Sequence, residues 1–214
     1  MTLNDLKIGR RLTIGFAAVL LLMVVMTATG FMRLRATQEA MATNIEDANK
    51  EKLANAWFDG AQLNATRAVA IVKARGAGEL DSYFEPMTKA TIEELNEVQK
   101  TLESTIVDAP GKALVGEAVE KRKAFLELRK KVVDLQRAGD MAGAEALLKQ
   151  GMLPASEAFL SSIRKLAKYQ SDLTESNLAS ANSQVANSEM LLLGLLMAGV
   201  LMGVVMGYMI TRSI

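Results

Sequence analysis

The chain has 214 residues, of which 50% are hydrophobic and 23% charged, with 25 Lys+Arg against 24 Asp+Glu and a formal net charge of +1. It contains no Cys and no His, which removes disulfides, thiolate or imidazole zinc sites, and Cys/His or Ser-His-Asp nucleophiles together. Nearly balanced charge gives no broad basic surface for nucleic acid, and no Gly-rich phosphate loop is present, so we expect neither an enzyme nor a bound metal or cofactor.

Residues 1–11 form a short basic tail, carrying Lys7, Arg10 and Arg11. Thr13 to Met32 then runs for twenty residues without a charge. At about 1.5 Å rise per residue such a run crosses the roughly 30 Å hydrocarbon core of a bilayer as a helix, and we place a span at 12–32. A cleaved signal peptide is the alternative, but its apolar region is shorter and ends in a small-x-small site. This run leaves through Phe31, Met32 and Arg33. Against Arg33 and Arg35 beyond the first span, the basic residues before it and Arg212 after the second favour both termini in the cytoplasm. Residues 33–189 then lie outside the inner membrane.

That middle region holds 21 Lys+Arg and 23 Asp+Glu and is punctuated three times: Arg75-Gly76-Ala77-Gly78, Asp108-Ala109-Pro110-Gly111 and Ala138-Gly139-Asp140. The punctuation predicts helices over about 33–76, 80–107, 111–137 and 140–189, each with apolar residues at three-four spacing. The second helix shows Met87, Thr91, Leu95, Val98, Leu102 and Ile106. The third shows Leu114, Ala118, Phe125, Leu128, Val132 and Leu135, interrupted by Lys121. The fourth shows Phe159, Ile163, Leu166 and Leu173. No segment alternates with period two, so the fold class is all-α. The inner helices are about 27–28 residues long and the outer two about 44 and 50, and short turns force antiparallel neighbours. The expected architecture is an up-down-up-down four-helix bundle on a two-helix stalk continuous with the spans, with Pro154 bending or restarting the fourth helix.

The second uncharged run, Met190 to Ile210, has twenty-one residues and gives a span at 190–210, followed by the stub 211–214. Gly199, Gly203 and Gly207 stand four apart beside Ala198. Small residues at this spacing let helix backbones approach closely, and we expect a seam against the first span or a partner subunit. Many of the thirteen methionines fall in the two spans, where they suit adaptable packing.

Three stretches resemble the N-terminal half of bacterial methyl-accepting chemotaxis receptors with a four-helix-bundle ligand-binding domain. Leu6-Lys7-Ile8-Gly9-Arg10-Arg11-Leu12 with Gly15-Phe16 is similar to the family's lead into its first span. Ala138-Gly139-Asp140 through Ala144, Leu147, Leu148 and Pro154 is similar to its third-to-fourth helix turn. Ile210-Thr211-Arg212-Ser213-Ile214 resembles the start of the cytoplasmic HAMP relay. The resemblance implies a multi-pass receptor of the bacterial inner membrane with a periplasmic sensor. It also implies a homodimer or higher receptor array, and signalling to a cytoplasmic kinase and coupling protein. The signalling hairpin with its methylation sites is not in this sequence, so a longer receptor is expected. The same module also fronts histidine kinases and nucleotide cyclases, which is the alternative reading. A structural or adaptor membrane protein that binds another protein is the third.

Counting sevens along the first outer helix gives Leu53, Gly60, Arg67 and Ala74, with Trp57, Asn64 and Ile71 or Ala56, Leu63 and Ala70 as companions. Arg67 is thereby placed in a small or apolar seam, where a guanidinium is costly unless acceptors or an anion meet it. Either an internal acid such as Glu85, Glu145 or Glu157 pairs with it, or it snorkels, or it clamps a ligand carboxylate with its bidentate fork. Leu63-Asn64-Ala65-Thr66-Arg67 resembles the arginine-bearing helix of the aspartate and serine receptors. Those carry further arginines where this chain has Gln62 and Ile71, so their amino-acid specificity is not implied. Depth matching about the turns adds Thr66, Tyr83, Thr88, Arg129, Gln150 and Ser156 as candidate ligand-binding residues, for a small organic acid. Arg122, Lys123, Lys130 and Lys131 read as a solvated face.

Overall fold

The computed structural model describes residues 8–74 and 78–212. The expectations for residues 1–7, for 213–214 and for the first turn at Arg75–Ala77 lie outside the described residues. The described residues form helices and turns, with no strand among them. Helix α1 runs Ile8–Lys73, α2 Gly78–Thr105, α3 Ala109–Arg137 and α4 Met141–Leu147, followed by a π-helical turn at Leu148–Met152 and α5 at Leu153–Arg212. With α4, the π turn and α5 taken as one run, there are four helices among the described residues. Two of them, α1 and the run ending in α5, contain segments long and apolar enough to cross a membrane.

Local chemistry sets the boundaries. Asp108 caps α3 in an extended conformation, and its Oδ1 accepts from Gly111 N at 2.7 Å, with Pro110 in the first turn where its missing N–H costs nothing. Gly139 takes φ +79°, a left-handed step that glycine makes without strain, and ends the third helical segment. Asp140 then caps α4 by accepting from Gly143 N at 2.8 Å. The restart expected at Pro154 takes a definite form. Leu153 N donates to Leu148 O, five residues back, so the widened turn precedes a proline that has no N–H to give.

The chain divides into two compact units, one comprising 45–175 and the other the segments 1–44 and 176–214. The first unit holds the helical core. Trp57 is fully buried and meets Phe159 edge-on at 6.2 Å, while Phe159 stacks with Phe125 at 6.1 Å. Leu95, Val98, Leu102 and Ile106 of α2 and Ile163 and Leu166 of α5 are buried, as the three-four spacing predicts. Met87 departs from that series, being exposed, and Thr88 is buried in its place.

On α1 the seam is rotated from the expected one. The buried stripe is Ala54, Trp57, Ala61, Asn64, Ala65, Ala68 and Val72, which keeps the expected companions Trp57 and Asn64, whereas Leu53, Gly60 and Arg67 flank it and Leu63 is exposed. Alanines on the inner face allow closer approach than the larger residues of the neighbouring stripe. Gly60 leaves room for α2, since a Cβ there would stand 2.7 Å from Leu95 Cδ2. On α3 the buried series Gly111, Val115, Ala118, Phe125 and Val132 passes beside Lys121, which is exposed. The apparent interruption is therefore a surface residue.

In the second unit the two apolar segments meet at two small residues. A Cβ on Gly15 would stand 3.0 Å from Met206 Sδ, and one on Gly199 3.0 Å from Leu22 Cδ2. Gly203 and Gly207 have nothing within 4 Å of such a position. Of the expected seam, Gly199 packs within the chain, while Gly203 and Gly207 leave an open stripe.

Candidate functional site

Arg67 emerges from the edge of the α1 stripe, half-buried, toward α2. Its Nη1 donates to Asn64 Oδ1 at 3.0 Å, to the Met87 carbonyl at 3.2 Å and to Thr91 Oγ1 at 3.0 Å. All three acceptors are neutral. The acids considered from sequence, Glu85, Glu145 and Glu157, are exposed, and Glu145 pairs with Lys149 at 2.9 Å. Within the same turn of α2, Thr88 is 5% exposed and its hydroxyl has no hydrogen-bond partner, while Asn64 is 8% exposed. Arg67 is therefore held by neutral dipoles alone, and its acceptor Met87 is one residue along α2 from a buried hydroxyl without a partner.

The other candidates fall in different surroundings. Thr66 is exposed and donates to Gln62 O of its own helix. Tyr83 is exposed and packs edge-on against Phe84 at 5.2 Å. Arg129 is half-buried, and burial pushes its guanidinium below the ordinary value while the Asp81 charge opposes that shift. Gln150 lies exposed in the π turn, and Ser156 is buried on α5. Arg67 and Thr88 are thus brought to one stretch of the α1–α2 contact.

Two features escaped the sequence reading. Arg122 is half-buried rather than part of a solvated face. Its Nη2 donates to Asn96 Oδ1 at 2.7 Å and its Nη1 to Gln99 Oε1. Burial lowers its proton affinity and Glu103 partly restores it. Only its place three or four residues from Ala118 and Phe125 hinted at this. Second, Lys50 and Asp47 are an ion pair at 3.3 Å with side chains only 12% and 11% exposed.

Near Lys50, Tyr169 Oη donates to Asp108 Oδ1 at 2.6 Å, tying α5 to the cap of α3. Burial pushes the Asp108 carboxyl up, but the hydrogen bonds from Tyr169 and Gly111 and the Lys50 charge outweigh it, and the net shift is downward. The Tyr169 phenol is pushed up to about 12, mainly by the same hydrogen bond. A raised folded value means the contribution is complete below the ordinary phenol value of 10.0 and is lost as pH rises through about 12. Asp108 behaves oppositely, contributing above its ordinary 3.8 and losing the contribution as pH falls through its lower folded value. The thermal midpoint of the wild-type chain should therefore fall more steeply over the alkaline window than that of Tyr169→Phe. Parallel curves would show that this bond adds nothing to stability.

The described residues thus form an all-helical bundle with a polar, cation-bearing contact between helices, and two of the helices contain segments long and apolar enough to cross a membrane. A family model described as "Four helix bundle sensory module for signal transduction" matches residues 60–185. The chain belongs to that family, the four-helix bundle sensory module of methyl-accepting chemotaxis proteins. No curated protein matches the sequence.

Proposed function

We propose that this chain is the sensor region of a two-span chemoreceptor that detects a small organic acid and makes or breaks no bond. The observation that carries the reading is Arg67, a half-buried guanidinium satisfied by Asn64, Met87 O and Thr91 with no acid on it. Its fork matches a carboxylate, and the hydroxyl of Thr88, on the same turn of α2 as its acceptors, has a hydrogen bond to give.

The signal travels as helix displacement in an up-down-up-down bundle. The order of cross-helix contacts supports that topology. On α1 and α2, Gly60 faces Leu95 and Arg67 faces Met87 and Thr91. On α2 and α3, Arg122 meets Asn96 while Gly111 meets Ile106. On α3 and α5, Asp108 meets Tyr169 and Glu117 meets Lys165 at 3.0 Å. In each pair, position rises on one helix as it falls on the other. Ligand binding shifts α5 against α1, since packed helices have discrete alternative arrangements. The span at 190–210 carries the shift to a relay beginning at 211 and on to a cytoplasmic kinase and coupling protein. Residues 33–189 stand in the periplasm of a bacterial cell and 12–32 form the first span. The open Gly203 and Gly207 stripe meets the second subunit of a homodimer.

Reporter fusions test the topology directly. A fusion after Ser104 should report outside and one after Ile214 inside, because Lys7, Arg10 and Arg11 resist translocation. An outside signal at Ile214 would sink the two-span arrangement.

A further inference from the structure

The ends of α1 and α3 and the α4–π segment enclose a cleft of about 700 Å³, within the size range of small-molecule sites. Val72, Met141 and Leu148 supply apolar wall, Lys73 supplies a cation, and Lys149 lies there paired with Glu145 at 2.9 Å. Gln136, also on the wall, has its Nε2 buried with no acceptor. Unpartnered buried donors are rare in native proteins and call for an explanation. The π-helical turn contributes Leu148 and Lys149 to the wall, and such widened turns recur at functional sites. Arg67 and its three acceptor residues are absent from the lining.

We propose that this cleft is a second ligand site, taking a monocarboxylate with an apolar body. On binding, the partly buried Gln136 side chain turns its Nε2 to donate to the acid's oxygens, which face Lys73, while the apolar body lies on Val72, Met141 and Leu148. Glu145 lines the same cleft and is paired with Lys149, which leaves Lys73 as the one uncompensated charge among the described lining residues and favours a monoanion over a compact dianion. The inference stands independently of the Arg67 reading.

The test uses the full chain in lipid nanodiscs, carrying Arg67→Ala so that the α1–α2 contact is disabled, with phenylacetate titrated by calorimetry. Phenylacetate should still bind, and succinate should not. Adding Gln136→Leu, which replaces an amide whose nitrogen has no partner by an apolar side chain of similar size, should weaken phenylacetate by roughly tenfold. The thermal midpoint should stay level or rise, which separates lost binding from lost folding. Ala142→Trp, on the exposed rim of the cleft, should weaken phenylacetate by obstruction. Unchanged affinity in Gln136→Leu, or equal binding of succinate, would overturn the proposal. If the wild-type chain binds acids and the Arg67→Ala chain binds none, the second site falls while the Arg67 reading stands.

Discussion

Replacing Arg67 by alanine should abolish binding of small acids to the α1–α2 contact while leaving the fold close to its original stability. Truncating one partner of a desolvated, hydrogen-bonded charge pair typically costs about 2–5 kcal/mol of affinity, a loss of roughly thirtyfold to several thousandfold. Stability should respond much less, because no acid loses its counter-charge. The three groups that accept from Arg67 are neutral, and Met87 O keeps the hydrogen bond donated by Thr91 Oγ1 at 2.9 Å. Net hydrogen bonds of this kind are worth about 0.5–1.5 kcal/mol each, and removal of a half-buried cation offsets part of the loss. An internal acid on Arg67 would have given the opposite pattern, a lowered melting temperature without any change in ligand binding. Calorimetric titration of small acids and thermal unfolding, both on the wild-type and Arg67→Ala chains, separate the two. Acids that bind both chains equally would move the site elsewhere in the bundle.

Phe159→Ala should cause a large loss of stability. Its ring, 3% exposed, bridges Trp57 of α1 and Phe125 of α3, so truncation opens a cavity lined by three helices. Buried Phe→Ala changes cost about 3–5 kcal/mol through lost transfer energy and residual cavity, against a total stability of about 5–15 kcal/mol for an ordinary domain. A fall of roughly 10 °C in the thermal midpoint follows from the usual size scaling. Phe159→Leu should recover much of it, because a smaller volume is lost. Tyr83→Ala, at a side chain 62% exposed, should change stability by no more than about 0.5 kcal/mol. Circular dichroism melts of the three variants in nanodiscs give the ranking. A Phe159→Ala midpoint equal to that of Tyr83→Ala would mean that the aromatic triplet is not the packing centre of the bundle.

The apolar runs, the four helices and most of their boundaries are legible in the linear sequence because each is set by local chemistry. Backbone polar groups in hydrocarbon must be satisfied within the segment, so twenty uncharged residues read directly as a helix long and apolar enough to cross a membrane. Asp108, Pro110, Gly139 and Asp140 mark ends through capping and left-handed backbone geometry that involve only their neighbours. Tertiary structure alone decides which stripe of α1 faces inward. Small residues occur on several sides of that helix, at Ala54, Ala56, Ala61, Ala65, Ala68 and Ala70, so adjacent seven-residue registers are nearly equivalent by pattern. The choice falls to how closely α2 and α5 can pack against Gly60 and Trp57. That one-residue rotation moves Arg67 from the seam to its edge, where its acceptors Met87 and Thr91 are 20 and 24 residues away. Arg122 finds Asn96 and Gln99 across helices in the same way. The apolar segments repeat the lesson: glycines four apart rotate roughly 40° at each step around a helix. Gly199 therefore packs on Leu22 while Gly203 and Gly207 turn away, a division set by where the neighbouring helix lies and not by the spacing itself.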